Sequence, residues 1–189
     1  MSVSLVQAVR RRVPGFGRDV RAVSAIEFAL VGLPFFMLLI GIMVVALLTF
    51  SAASLDYAVQ KAARAIMVGN AQSAGLDAAR FQTELLCPNL PAGLFDCSKL
   101  LVSLTSFADP VTTDYYSYVK PDLSGLIVPT QAAFCLGAAS SYQVLEVTYP
   151  FPIYFAPFAG APQVVNGKYM LMSSLTFKNE PFTTSAGGC

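Results

Sequence analysis

Two sets of residues in this chain could do chemistry by type and spacing. One is four cysteines, Cys87, Cys97, Cys135 and Cys189; the other is Glu27, a lone carboxylate bordering a long apolar run. An even number of cysteines suits disulfides, and four allow three connectivities. Residues 88–96, "PNLPAGLFD", hold two prolines and a glycine that can turn the chain back, which favours Cys87 with Cys97 and leaves Cys135 for Cys189. On the chain-entropy model these bridges close loops of 11 and 55 residues and contribute ~3 and ~4 kcal/mol. Metal is not expected, since no cysteine pair has the C-x2-4-C spacing and the chain has no His. The same lack removes the commonest general base, and there is no Gly-rich phosphate loop, G-x-S-x-G elbow or Ser-x-x-Lys pattern. Asp109 and Asp114, in "FADPVTTDYYSY", read as a polar turn around Pro110. No catalytic residue, cofactor or small-molecule substrate is therefore expected.

Glu27 requires an element to hold it. From Phe28 to Leu55 the chain runs for 28 residues without a charge, and as a helix that stretch extends roughly 42 Å. This exceeds the ~30 Å hydrocarbon core of a bilayer, and soluble helices rarely keep so many uncharged, mostly apolar residues in a row. A membrane span over 23–55 is expected. The chain as a whole agrees, with 12% charged residues and a mean hydropathy of +0.60.

The flanks give the orientation. Arg10, Arg11, Arg12, Arg18 and Arg21 precede the run against one acid, Asp19, while Asp56, Lys61 and Arg64 follow it. By the positive-inside rule the N-terminus is cytoplasmic, and in a bacterium everything after Leu55 lies beyond the inner membrane. The net charge of +1 hides this asymmetry; the basic arm has a topological explanation and implies no nucleic acid. Ser51, Ala52 and Ala53 loosely imitate a signal-peptidase site, but the run is nearly double the ~7 to 15 residues of a secretory h-region. An ionised carboxylate is costly near hydrocarbon unless it stays at the interface or is paired. The plainest reading keeps Glu27 at the cytoplasmic headgroup level beside Arg21.

Residues 1–22 form a basic leader interrupted by Pro14, Gly15 and Gly17. Over 56–86 an amphipathic helical stalk is expected: Leu55, Val59, Ala62, Ala63, Ile66 and Met67 make an apolar stripe at helical spacing. Gly69 and Asn70 end or kink it, and Leu76 to Leu86 forms a further helical stretch. Over 87–189 the period changes. Leu100–Phe107, Tyr142–Ile153 and Tyr169–Asn179 alternate and are rich in Val, Thr, Tyr and Phe, as strands are. In the second, Val144, Glu146 and Thr148 share one face and Leu145, Val147 and Tyr149 the other. Pro150 and Pro152 cannot donate to a ladder, so that end belongs on an edge or leaves the sheet. The fold class is α+β: a long N-terminal hydrophobic helix, spanning the membrane once and continuing as a stalk, with a small antiparallel sheet domain stapled by disulfides.

That is the architecture of a pilin, and the chain resembles the TadE-like proteins of the tight-adherence (Tad, type IVb) pilus system, which are minor pilins or pseudopilins. The residues that carry the likeness are "AIEFALVGLPFFMLLIGIM", "LDYAVQKAARAIMVGNAQSAG", "LLCPNLPAGLFDC", "VTYPFP" and "FKNEPF", from Ala22 onward. The resemblance implies a non-enzymatic component, anchored in the inner membrane with its C-terminal domain periplasmic, that works with other pilins and the Tad secretion machinery in adhesion and biofilm formation. It implies cutting by a prepilin peptidase between Ala22 and Val23, which makes Glu27 the fifth residue of a 167-residue mature chain. The family pattern has Gly where this sequence has Ala22. Cleavage would create an α-ammonium at Val23 for Glu27 of the same or a neighbouring subunit to neutralise. Ala25, Ala29 and Gly32, at about helical spacing, would let helices approach closely; with Glu27, Phe28 and Pro34 they form the expected assembly and recognition set. Pro34 removes one backbone hydrogen bond and marks a place where the helix can bend.

A second reading belongs to another class. "TTDYYSYV" and "YPFPIYFAPF" are rich in Tyr and Phe, as on a membrane-anchored envelope domain that binds a protein or ligand and has no part in a pilus.

Overall fold

The structure, a computed structural model, describes residues 20–107, 133–152, 164–165 and 168–183. The chain divides into two compact units, Met1–Ala46 and Leu47–Cys189. The fold is α+β.

Helix α1, Val20–Met67, is 48 residues long and carries Pro34 within it. It is rich in Ala, Leu and Met, which lose little on becoming helical. Two serines in its apolar part satisfy their hydroxyls inside the helix: Ser51 Oγ donates to the Leu47 carbonyl at 2.7 Å and Ser54 Oγ to that of Phe50 at 2.8 Å. Neither needs water. The helix stops where Gly69 takes a left-handed φ of 81°, which glycine adopts without a Cβ penalty. The freed Met67 carbonyl accepts a hydrogen bond from Glu180 N–H at 2.9 Å, and the Phe182 ring lies so close to Gly69 that a Cβ there would come within 2.7 Å of it. The closing "FKNEPF" thus clamps the end of α1.

In the second unit one face of α1 is wholly buried: Ser51, Leu55, Ala58, Val59, Ala62, Ala63 and Ile66. This is the expected stripe, with Met67 only partly buried at its end, and its alanines let the sheet approach the helix backbone. Past Gly69 come short turns, α2 at Asn70–Ser73 and α3 at Ala78–Phe81. Asp77 caps α3 through its side chain, accepting from Arg80 N–H. A π-helical turn, Gln82–Leu86, and two 3-10 turns, Cys87–Asn89 and Cys97–Lys99, complete the connection.

The sheet contains β1 (Leu101–Phe107), β2 (Tyr142–Pro152), β3 (Val164–Val165) and β4 (Lys168–Lys178). Their order is β1-β2-β4-β3, and every pairing is antiparallel. The three long strands fall within a residue or so of the expected ones; the two-residue β3 carried no signal in the sequence. Register sets Val102, Leu104, Leu145, Val147, Tyr149, Phe151, Leu171 and Phe177 on the inner face, in one core cluster with the α1 stripe. Val144, Glu146 and Thr148 share the outer face, as alternation predicted. Of the two expectations for the prolines, the edge holds: β2 stays paired with β4 as far as Pro152 with Lys168, while β1 ends at Leu101, opposite Thr148. This end of β2 thus has no strand on its other side among the described residues, where a residue without an N–H is tolerated.

Beyond β1, Ala133–Cys135 adds a parallel bridge at Leu104, with Leu104 N–H donating to the Ala133 carbonyl at 2.7 Å and Cys135 N–H to that of Leu104 at 2.9 Å. The Phe134 ring then packs on Phe81, centroids 5.4 Å apart. Three buried amides fasten the following turn. Gln72 Nε2 donates to the Leu136 carbonyl at 2.9 Å, Asn179 Nδ2 to that of Ala138 at 3.0 Å, and Gln143 Nε2 to Ser141 Oγ at 2.9 Å.

Candidate functional site

Cys87 and Cys97 are joined, as expected, with Cα atoms 6.0 Å apart. Cys135 is also disulfide-bonded; its expected partner, Cys189, lies outside the described residues. The first bridge fixes a short loop whose outer part, Pro88–Pro91, faces α1. Gln82 Nε2 donates to the Cys97 carbonyl and ties the π turn to the far end of the loop. Asp96 caps the turn after it, accepting from Ser98 N–H at 3.1 Å and Ser98 Oγ at 2.7 Å and pairing with Lys99 at 2.7 Å. The Lys99 bond first, then those from Ser98, lower its pKa to about 2.

In the first unit, the predicted processing junction falls in the opening turn of α1, which begins at Val20. Val23 and Glu27 are four residues apart in α1, about one helical turn. Glu27 is exposed and has no hydrogen bond or ion pair among the described residues.

Around Glu27 the surface is apolar on all sides of the helix. Ile26 is 64% exposed and Phe28 71%, and Leu30, Val31, Leu33, Phe35, Phe36 and Met37 are all more than half exposed. Large apolar side chains on every face have no place in water and imply a covering of lipid or other helices. The helix is long and apolar enough to cross a membrane. Ala25 and Ala29 are exposed, as a contact face needs, but Gly32 is buried. The rings of Phe28 and Phe36, one turn to either side, lie 3.7 to 3.9 Å from where its Cβ would stand. A helix approaching at Gly32 must first displace them.

A family model described as TadE-like protein matches residues 22–64. Over this segment the chain is similar to that family. The match starts at Ala22, the last leader residue expected from the resemblance, and takes in Glu27, the apolar run and most of the buried stripe. It ends at Arg64, so the matched segment leaves out "LLCPNLPAGLFDC", "VTYPFP" and "FKNEPF". Neither a curated protein nor a solved structure matches the chain.

The described aromatic residues of the second reading are not surface. Tyr149 and Phe151 are each only 4% exposed, and Tyr149 is held by Phe95, with centroids 4.8 Å apart, and by Asp96 N–H donating to its hydroxyl at 3.0 Å. The rest of "YPFPIYFAPF" from Ile153, all of "TTDYYSYV", and Asp109 and Asp114 lie outside the described residues. Sequence reasoning missed a groove in the second unit. Phe50, Ala53, Ser54 and Tyr57 of α1 face Pro88, Asn89, Leu90 and Pro91 across about 480 Å³ of open space. Its helix wall has a legible signal, uncharged residues spaced i, i+3, i+4, i+7 on the side opposite the buried stripe, but nothing local announces that the disulfide loop forms the other wall.

Proposed function

We propose that this chain is a non-catalytic, single-pass component of Tad pilus assembly, a pseudopilin or minor pilin that primes, caps or regulates the fibre and so serves adhesion and biofilm formation. In this reading the N-terminus is cytoplasmic, α1 crosses the inner membrane, and the α+β domain is periplasmic. The prepilin peptidase cuts between Ala22 and Val23. The observation that carries the reading is the TadE-like match over residues 22–64, laid on a helix whose apolar surface is exposed on every side around one unpaired carboxylate.

The work of Glu27 follows from charge. Before cleavage it stays at the headgroup level beside Arg21. After cleavage the Val23 ammonium, one turn away, gives it a counter-charge on its own or a neighbouring helix. A neutralised pair moves from bilayer into a helix bundle at less cost than a lone carboxylate. Ala25 and Ala29 leave room for that neighbour, with Phe28 as its apolar contact. Pro34 lets the helix adjust as it leaves the bilayer.

A photocrosslinker at Ile26 in living cells tests this. The expected result is an adduct with another pilin or pseudopilin that weakens severalfold in Glu27→Ala. Unchanged adducts together with unchanged pilus number would remove Glu27 from assembly.

A further inference from the structure

We propose that the groove between α1 and the disulfide loop is a lipid seat: it rests in the headgroup layer of the membrane's periplasmic leaflet and takes the upper part of a lipid between its walls. This extends the membrane-anchored reading above and rests on it.

The walls are suited to that occupant. Phe50 is 57% and Tyr57 53% exposed, although the opposite side of the same helical turns is the domain's buried stripe. The domain therefore leaves uncovered the one α1 face that is aromatic. Few polar groups in the groove are free to bind a polar ligand. Ser54 Oγ already donates to the Phe50 carbonyl at 2.8 Å, and Asn89 Nδ2 to the Leu85 carbonyl at 2.8 Å. Across the groove, Pro88 and Pro91 have no backbone N–H to leave unsatisfied in an apolar surrounding. Leu90 N–H donates to the Cys87 carbonyl at 3.2 Å, and the Cys87–Cys97 bridge holds the loop in place.

The order of side chains along the helix matches a membrane interface. Phe50 comes first, then Tyr57, then Lys61, whose Nζ lies 5.2 Å from the centre of the Tyr57 ring. An apolar ring, an amphipathic ring and a cation thus succeed one another from hydrocarbon toward water, as aromatic belts and snorkelling lysines do. Position along the chain agrees: the uncharged run that begins at Phe28 ends at Leu55, so Phe50 to Tyr57 straddle its far border, where a span of that composition meets the headgroup layer.

The chain contains no Trp, so single tryptophans report their sites without background. The full-length protein is reconstituted in phosphatidylethanolamine–phosphatidylglycerol vesicles containing phosphatidylcholine brominated near the top of its acyl chains. Tryptophans are placed at Tyr57→Trp and Pro88→Trp on the two walls, Phe36→Trp in the span, and Thr176→Trp at an exposed position on the sheet's outer face. The expected result is that Phe36→Trp, Tyr57→Trp and Pro88→Trp lose most of their emission to bromine while Thr176→Trp keeps its own. If Phe36→Trp is quenched but both wall positions behave like Thr176→Trp, the lipid seat is wrong and the anchored reading stands. An unquenched Phe36→Trp overturns both. Wall emission that shifts with protein-to-lipid ratio rather than with bromine means that a second copy fills the groove, and the proposal fails. Pro91→Trp replaces Pro88→Trp on the loop wall if that variant loses the Cys87–Cys97 bridge.

Discussion

At the scale of single residues, Ala22 is the sharpest departure. The family pattern puts Gly at the last leader position, and for the proposed cut after Ala22 a peptidase pocket shaped for hydrogen has to take a methyl group. Mass spectrometry of the membrane-extracted protein is expected to show a 167-residue chain beginning at Val23, with Ala22→Gly processed faster; an intact Met1 terminus in a strain with active peptidase would contradict this. Gly69 is a second such residue. Alanine there adopts a left-handed backbone at about 1 to 2 kcal/mol and also meets the Phe182 ring at 2.7 Å, so Gly69→Ala is expected to destabilise the folded domain by about 2 to 3 kcal/mol. Thermal unfolding of the detergent-solubilised chain measures it. The sequence showed that Gly69 ends the helix, because helix-stopping chemistry is local. It could not show Phe182, because that contact joins positions 113 residues apart.

At the scale of elements, the buried stripe of α1 and the strands were legible because their periods are. A stripe repeating every three or four residues buried one side of α1, and alternation in β2 separated Leu145, Val147 and Tyr149 from Val144, Glu146 and Thr148. The amide cluster that binds the Leu136–Ser141 turn was not legible, since Gln72, Gln143 and Asn179 come from three elements and no local pattern joins them. Glu146 is the element-scale anomaly. Half-buried in the central strand, opposite Ser103 and Ser174, it has no cationic partner among the described residues, and desolvation raises its pKa. With the folded pKa above the unfolded one, the folded state holds the proton more tightly. Stability therefore rises as pH falls through the folded pKa, and the gain is complete below the unfolded one. Glu146→Gln is expected to stabilise the protein at neutral pH and to flatten its pH dependence in mildly acid solution. Urea midpoints at neutral and mildly acid pH test this; a destabilised Gln variant, or an unchanged slope, would show that the carboxylate is serving a contact. Asp96 behaves in the opposite sense. Its lowered pKa of about 2 keeps the Cys97–Lys99 cap formed above the usual carboxylate range and releases it only as pH falls toward 2.

At the scale of the whole molecule, charge and apolar surface point the same way. Five arginines precede the apolar run, large apolar side chains are exposed along it from Phe28 to Phe50, and the core begins where its uncharged residues acquire a buried side at Ser51 and Leu55. The boundary between lipid-facing and domain-facing helix is invisible in the sequence, because an apolar residue reads alike against lipid or protein. The partner is equally illegible, since a resemblance over 22–64 names a system and not a position in it. The most direct measurement is the number of pili per cell, counted by electron microscopy, in a strain lacking this chain and in the same strain supplied with it. Loss of pili on deletion, restored by the wild-type chain and much less by Glu27→Ala, is the predicted result; unchanged pilus number on deletion would contradict the assignment to pilus assembly.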